Sequence, residues 1–576
     1  MGQLKTFTEL KRNLKKDFSG LLPMRVAVLG DSATQFLTQA LCGSGFDSGL
    51  ALEIWEAEFN QVERQVFDDS SELYAFGPEV VIVFQSSHKL LAKYNKSVKI
   101  QTTLAETELA LIDDMYHAMT AKLKAKVIFY NYPEIDDAVF GNYANKLASS
   151  FLFQLRKLNY DLMNLASQHA DLHVCDLSSV QNLYGRKNMF PASVYVSTEM
   201  VISIDVLPAV AERTVALLHA MQGGIKKCLI LDLDNTLWGG VIGDDGLENI
   251  QVGSLGIGKA FTELQYWLKK LKERGIILAV CSKNTESIAK EAFENHPDMI
   301  LRLDDIGVFI ANWKNKADNI RQVQSILNIG FDSMVFLDDN PFERNIVKEN
   351  IPGITVPELP EDPADFLEYL YSLNLFETVS LSEEDQKRTE QYQVEKKRNL
   401  LQKTFVDEDA FLQNLHMISK VEGFTKFNTP RVAQLSQRSN QFNLRTIRYS
   451  EDDIKNLSGS KDVYPFTFTL EDKFGDNGLV CVVILKKEND ETLFIDTWFM
   501  SCRVLKRGME QFVCNTIAAF AQKNAFDCIK GEFILTAKNE LVKDHYTNLG
   551  FENENGYWLL KASKYLPKKT FISERV

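Results

Sequence analysis

Residues 228–246 read CLILDLDNTLWGGVIGDDG, and the fold is decided by how this stretch is interpreted. A continuous apolar run, Cys228 to Leu231, stops at Asp232, and a second carboxylate, Asp234, follows two positions on. Side chains alternate along a strand with period two, so Asp232 and Asp234 leave the strand's end on the same side. Carboxylates that close repel each other unless a cation, a shared proton or chemistry compensates. Asn235, Thr236 and Gly239-Gly240 then break the strand. The pair therefore sits at a strand's carboxyl end, where open α/β sheets bind ligands.

Working outward, residues 224–375 repeat the strand–helix alternation of a parallel sheet. Strand 228–233 is followed by helix 259–274, strand IILAVCS (276–282) and helix 285–294. A strand near 299–303, a helix over 314–327 and strand SMVFLDD (333–339) complete the series. Ser282 ends one strand, Asp338 and Asp339 end another, and Lys314 and Lys316 flank a helix start. In neighbouring parallel strands these groups converge on one edge.

The pattern D-x-D-x-T-L after a strand resembles the nucleophile motif of the haloacid dehalogenase (HAD) superfamily. Its continuation WGGVIGDDG resembles the FkbH-like branch, HAD subfamily IIIC. The resemblance implies that Asp232 is the nucleophile that forms an aspartyl-phosphate and Asp234 the general acid and then base. It implies Ser282 and Lys316, with Lys314 second, as phosphate contacts. Mg²⁺ would be held by Asp232, Asp234 through its backbone carbonyl, Asp339 and Asp338. Asp232 to Ser282 spans 50 positions and Ser282 to Lys316 spans 34, too few for an inserted cap domain. The core is therefore expected to be Rossmannoid and uncapped.

FkbH-like proteins are associated with moving a glyceryl group from 1,3-bisphosphoglycerate to an acyl carrier protein with loss of phosphate. Such transfer needs a thiol, and Cys281, beside Ser282, is the candidate by position; the alternative is a small buried hydrophobe. Three functions follow. The leading one is a Mg²⁺-dependent phosphohydrolase acting on a small phosphorylated metabolite. The others are carrier-linked acyl transfer and a scaffold that docks a carrier protein.

On either side lie two further segments. Residues 1–222 open with PMRVAVLGDSATQFLTQAL and carry strands at 78–87 and 126–133, a doubly wound, flavodoxin-like pattern. Gly30-Asp31-Ser32 resembles the first block of SGNH-type hydrolases, but residues 188–218 contain no histidine to serve Ser32. His169 and His173 lie earlier in the chain. Residues 376–405 read as a charged helical linker. Residues 406–576, with DHYTNLGFE before a terminal strand, resemble an α+β GNAT-type acyltransferase domain. There Arg503, Lys506, Arg507 and Gly508 stand where that family cradles a CoA or phosphopantetheine phosphate, although Lys506 replaces the middle glycine. The whole reads as an α/β multidomain chain.

The 576 residues carry a net charge of −14, which argues against general nucleic-acid binding. There is no apolar run of membrane length. The N-terminus fits a loose myristoylation pattern through Gly2 and Thr6, with no other membrane signal. Eight cysteines lack C-x-x-C spacing and mostly lie in apolar runs, as in a reduced cytoplasmic protein.

Overall fold

The computed structural model describes residues 5–381, 394, 398, 401–402, 404–439, 441–536 and 539–575. Two compact units make up the chain, residues 2–220 and 221–576. No described helix is long and apolar enough to cross a membrane. Thr6 forms a capping box with Glu9 on the first helix; Gly2 lies outside the described residues.

The first unit is built on five parallel strands: β1 (Leu22–Gly30), β2 (Leu50–Glu56), β3 (Val80–Phe84), β4 (Lys126–Tyr130) and β5 (Leu172–Cys175). Their order is β2-β1-β3-β4-β5. Val80–Phe84 is buried throughout, as a strand covered by helices on both faces must be. The strand order reverses beside β1, and Gly30-Asp31-Ser32 leaves the sheet at that switch point. Asp31 Oδ2 accepts from Ser86 N at 2.7 Å, and burial pushes its carboxyl up to about 6. Ser32 is 1% exposed.

Neither His169 nor His173 serves Ser32. His173 lies on β5, three strands from β1 and about 14 Å away at the ordinary strand spacing. His169 caps the helix Phe151–Gln168 at the entry to β5, the opposite end of the sheet from Ser32.

The second unit begins with β6 (Cys228–Leu231), β7 (Ile277–Ser282), β8 (Ile306–Ala311) and β9 (Met334–Leu337), all parallel in the order β8-β7-β6-β9. Cys228 pairs with both Ile277 and Met334, which centres the D-x-D strand. The strand expected near 299–303 lies instead at Ile306–Ala311. Leu303–Asp305 forms a 3-10 turn, with Asp305 accepting from Arg302 N and pairing with Lys269 and Lys272. Between β6 and β7 stand the short helix Ile242–Asp245 and the helix Gly258–Glu273; between β7 and β8 stand Glu286–Asn295 and that turn. No domain is inserted at either place.

In the expected linker, residues 376–381 form no helix, and Val394, Arg398, Leu401 and Gln402 are helical; most of the remainder lies outside the described residues. A mixed sheet follows, formed by β10 (Met417–Ser419), β11 (Val421–Glu422), β12 (Val463–Asp472), β13 (Gly475–Lys487), β14 (Thr492–Met500), β15 (Cys528–Gly531), β16 (Glu552–Glu554), β17 (Tyr557–Lys561) and β18 (Ile572–Glu574). The described strands run β16-β17-β15-β14-β13-β12-β10-β18, with β11 on β12. Only β14–β15 and β10–β18 pair in parallel among them.

Asp31 yields a test of the first unit. Its folded pKa of about 6 lies above the unfolded value, so its contribution to stability is complete at low pH and lost as pH rises through about 6. Asp31→Asn is expected to stabilise the protein at pH 8 by about 2 kcal/mol relative to its effect at pH 4. Chemical denaturation at both values checks this; a pH-independent effect contradicts it.

Candidate active site

β6 and β9 are neighbours, so Asp232 and Asp338-Asp339 leave adjacent strand ends, and Asp232 N donates to Leu337 O at 2.9 Å. Asp232, Asp338 and Asp339 bring carboxylate oxygens within 4.8 Å of one another. Asp338 is fully buried and Asp232 is 7% exposed. Burial and then the Asp232 charge hold the Asp338 and Asp339 carboxyls above the usual carboxylate range. Thr236 Oγ1 donates to Asp339 Oδ1 at 3.3 Å, and Arg344 Nη1 donates to the carbonyls of Asp338 and Asp339 at 2.8 and 2.7 Å.

Lys316 is the cation of this cluster. Its ammonium lies 2.7 Å from Asp232 Oδ2 and 2.5 Å from Asp338 Oδ2, and the residue is 2% exposed. Burial by itself would lower the lysine's pKa, but the two carboxylates outweigh it and leave the pKa raised. Lys316 opens the helix Lys316–Leu327, capped by Asn315. Lys314, two residues earlier, is exposed, and the structure directs the other lysine inward.

Asp234 has a separate setting. Trp238 Nε1 and the Ile242 amide donate to its Oδ1 at 2.9 and 3.0 Å, and Asn284 Nδ2 donates to Oδ2 at 2.9 Å. Its carboxylate therefore stands apart from the three-carboxylate cluster. Burial raises its pKa, the neighbouring Asp232 charge adds to that, and its hydrogen bonds oppose it. The loop that carries Trp238 depends on two left-handed residues, Asn235 and Gly240. Gly240 has φ +92°, and a Cβ there would lie 2.7 Å from Asp245 Oδ2.

Ser282 ends β7 beside Ala311, buried at 1% exposure. Cys281 requires a correction. It lies fully buried in the core with Cys228, Ile230 and Ala279, its Sγ 3.7 Å from the Lys316 carbonyl, and burial pushes its thiol well above the usual range. It is the small buried hydrophobe rather than an accessible acyl acceptor. The sequence reading missed Trp238, Asn284, Thr236 and Arg344. Asn284, two positions beyond Ser282 at the same strand end, carried the clearest signal.

In the C-terminal domain the four candidate phosphate contacts separate. Lys506, at φ +62°, and Gly508, at φ +77°, line a cavity of about 600 Å³ at the start of the helix Met509–Lys523. Arg507 is turned inward: it is 5% exposed and 3.5 Å from Asp472, which Arg398 also holds at 2.8 Å. Its expected phosphate role is corrected accordingly. Arg503 donates to Ser501 Oγ at 3.2 Å.

Lys316→Met removes the ammonium at nearly constant side-chain length and leaves buried carboxylates unopposed. A loss of about 3–5 kcal/mol at pH 8 in Mg²⁺-free buffer is expected. The loss should shrink toward pH 5, because carboxyls whose folded pKa is raised stabilise the fold only when protonated. Equal losses at both pH values in denaturant titrations contradict this.

Residues 25–219 match the family described as FkbH, N-terminal domain. No curated protein matches the chain. Among solved structures, the N-terminal part of the Bacteroides fragilis protein BF1531, containing a phosphatase domain and complexed with Mg, is 58% identical, with a TM-score of 0.63. The match covers 65% of this chain and 100% of that one. The Escherichia coli ribosomal-protein-S18-alanine N-acetyltransferase is 12% identical, covering 25% of this chain and 94% of its own, with a TM-score of 0.20. The spermidine N-acetyltransferase of Vibrio cholerae, in complex with CoA and spermine, is 14% identical over 25% and 96% of the two chains, also with a TM-score of 0.20. At 58% identity over the whole of its B. fragilis relative's chain, the protein belongs with BF1531 to the family of FkbH-like proteins that carry a phosphatase domain.

Proposed function

We propose that the chain is a Mg²⁺-dependent phosphohydrolase of HAD subfamily IIIC, acting on a small phosphorylated metabolite through an aspartyl-phosphate at Asp232. The observation that carries this reading is the cluster of buried Asp232 and Asp338 with half-buried Asp339, in which Lys316 bridges the first two. A divalent cation fits it. The donors are hard carboxylate oxygens, and Asp232 Oδ1 is buried with no hydrogen-bond partner. The Mg complex of the B. fragilis relative supports the same ion. When bound by Asp232, Asp339 and Asp338, Mg²⁺ supplies charge stabilisation for a transferring phosphoryl group.

The protein's own groups do the rest. Lys316 orients Asp232 through Oδ2 and adds positive charge beside the attacked phosphorus. Ser282 stands at the adjoining strand end for a phosphate oxygen. Asp234, its pKa raised, holds a proton for the leaving oxygen and then takes one from the attacking water. Trp238, Asn284 and the Ile242 amide fix its position. The absence of an inserted domain leaves room for a substrate of variable shape.

Glyceryl-type acyl transfer to a carrier protein is the second reading. It is favoured by the FkbH match and by the cavity of about 600 Å³ near Lys506 and Gly508. A GNAT-like domain is supported by the short parallel pairing of β14 with β15 inside a mostly antiparallel sheet. CoA or a phosphopantetheine arm would enter there, and with Cys281 buried the acceptor would be the carrier's own thiol. The strand order of the first domain agrees with an SGNH-type fold, but with Ser32 buried we assign it no hydrolysis.

Asp232→Asn should abolish Mg²⁺-dependent hydrolysis of p-nitrophenyl phosphate, a loss of about 10³-fold or more. Asp234→Asn should slow both esters through loss of the base for the attacking water, and in the phosphoryl-transfer step should slow an alkyl phosphate, which also needs the acid, by about 10²–10⁴-fold more than p-nitrophenyl phosphate. Retained turnover in the first variant, or equal losses on both esters in the second, contradicts the assignments. Acyl transfer is tested by the intact mass of a carrier protein incubated with enzyme and 1,3-bisphosphoglycerate: a glyceryl adduct supports it, and free phosphate alone supports hydrolysis.

A further inference from the structure

The first unit gathers a second cluster of side chains with metal-ligating groups. Asp113 and His117 stand one turn apart on the helix Leu104–Lys122, so both leave the same face. His169 reaches them from the end of the helix Phe151–Gln168, where it is the capping residue. One ligand atom from each lies within 4.8 Å of the others. Both imidazoles turn Nε2 toward the same oxygen: His117 at 3.3 Å and His169 at 4.0 Å from Asp113 Oδ1.

That oxygen points to a ligand. Asp113 Oδ1 is a buried oxygen without a well-formed hydrogen bond, and its nearest polar neighbours are the Nε2 atoms of His117 and His169. Such an arrangement is costly for a lone carboxylate and suited to a cation shared by all three. Ligands of a tetrahedral zinc ion lie about 3.3 Å from one another, given metal–ligand bonds near 2.0–2.1 Å. The Asp113–His117 separation already meets that, and a small rotation of His169 closes the remainder. Tyr116 packs on the His169 ring at 4.6 Å and limits its freedom. The side chains of Asp113, His117 and His169 are 41%, 60% and 24% exposed, so an ion can enter from solvent.

We propose that Asp113, His117 and His169 form a binding site for a zinc-class divalent transition metal. Two imidazoles and one carboxylate favour such a borderline ion, whereas the three carboxylates around Asp232 favour Mg²⁺. Among the described residues these are the two clusters able to hold a metal. Three protein ligands leave one position of a tetrahedral ion to water or to an incoming donor group. The ion ties the two helices together, and binding to the folded state alone raises its stability.

The test is Co²⁺ and Zn²⁺ titration of the full chain in excess Mg²⁺, read by visible cobalt absorption and calorimetry. The wild-type chain should take up one equivalent that the His117→Ala/His169→Ala double variant does not, with a cobalt spectrum of nitrogen-ligated, low-coordinate type. Each single histidine variant should weaken binding more than the about 10–100-fold seen when a supporting partner alone is lost. Far-UV circular dichroism and thermal unfolding without transition metal should match wild type in these variants, which shows that the first unit folds. Equal uptake by wild type and double variant, or no transition-metal uptake by wild type, overturns the site.

Discussion

One buried ammonium holds the phosphatase domain's strand ends together. Lys316 Nζ lies between Asp232 and Asp338, 2.7 and 2.5 Å from their oxygens, with almost no contact with solvent. Without it, three carboxylates at two neighbouring strand ends would repel one another in a medium that screens poorly. With it, one negative charge is offset directly, and the remaining excess is of the sign that suits a divalent cation. The architecture serves this contact: β6 lies between β7 and β9, which gathers Asp232, Ser282 and Asp338-Asp339 on one edge, and the helix after β8 supplies the lysine.

The same edge separates two carboxylates that the sequence presents as a pair. Asp232 faces Lys316, whereas Asp234 is anchored by Trp238, Asn284 and the Ile242 amide. One is kept close to a cation and the other in a niche whose desolvation raises its pKa against the opposing hydrogen bonds. Different surroundings give similar side chains different protonation behaviour, which is what a nucleophile and an acid require.

Much of this was legible because it is local. An apolar run that stops at a polar group marks a strand end, as at Asp232, Ser282 and Asp338, and such ends separated by helices specify a parallel sheet. Less legible was whatever depended on partners distant in sequence. β2 and the short closing strand β18 are edge strands with weak patterns of their own, held by β1 and β10. The strand after Arg302 was misplaced because Asp305 spends its charge on Lys269 and Lys272, more than 30 positions away. Cys281 and Arg507 carry suitable chemistry at suitable spacings, yet one packs into the core and the other pairs with Asp472. Burial of that kind belongs to the tertiary structure. The Asp113–His117–His169 cluster escaped notice for the same reason, since it forms only where two helices well separated in sequence meet.

The central claim is that Asp232 is the group that takes the phosphoryl. It is tested most directly by acid-quenching the enzyme during Mg²⁺-dependent turnover of p-nitrophenyl phosphate and mapping the modified peptide by mass. One phosphoryl group is expected on the peptide carrying Asp232, removed by hydroxylamine as an acyl phosphate. Phosphoryl label on any other residue, or phosphate release with Asp232 never modified, would contradict it.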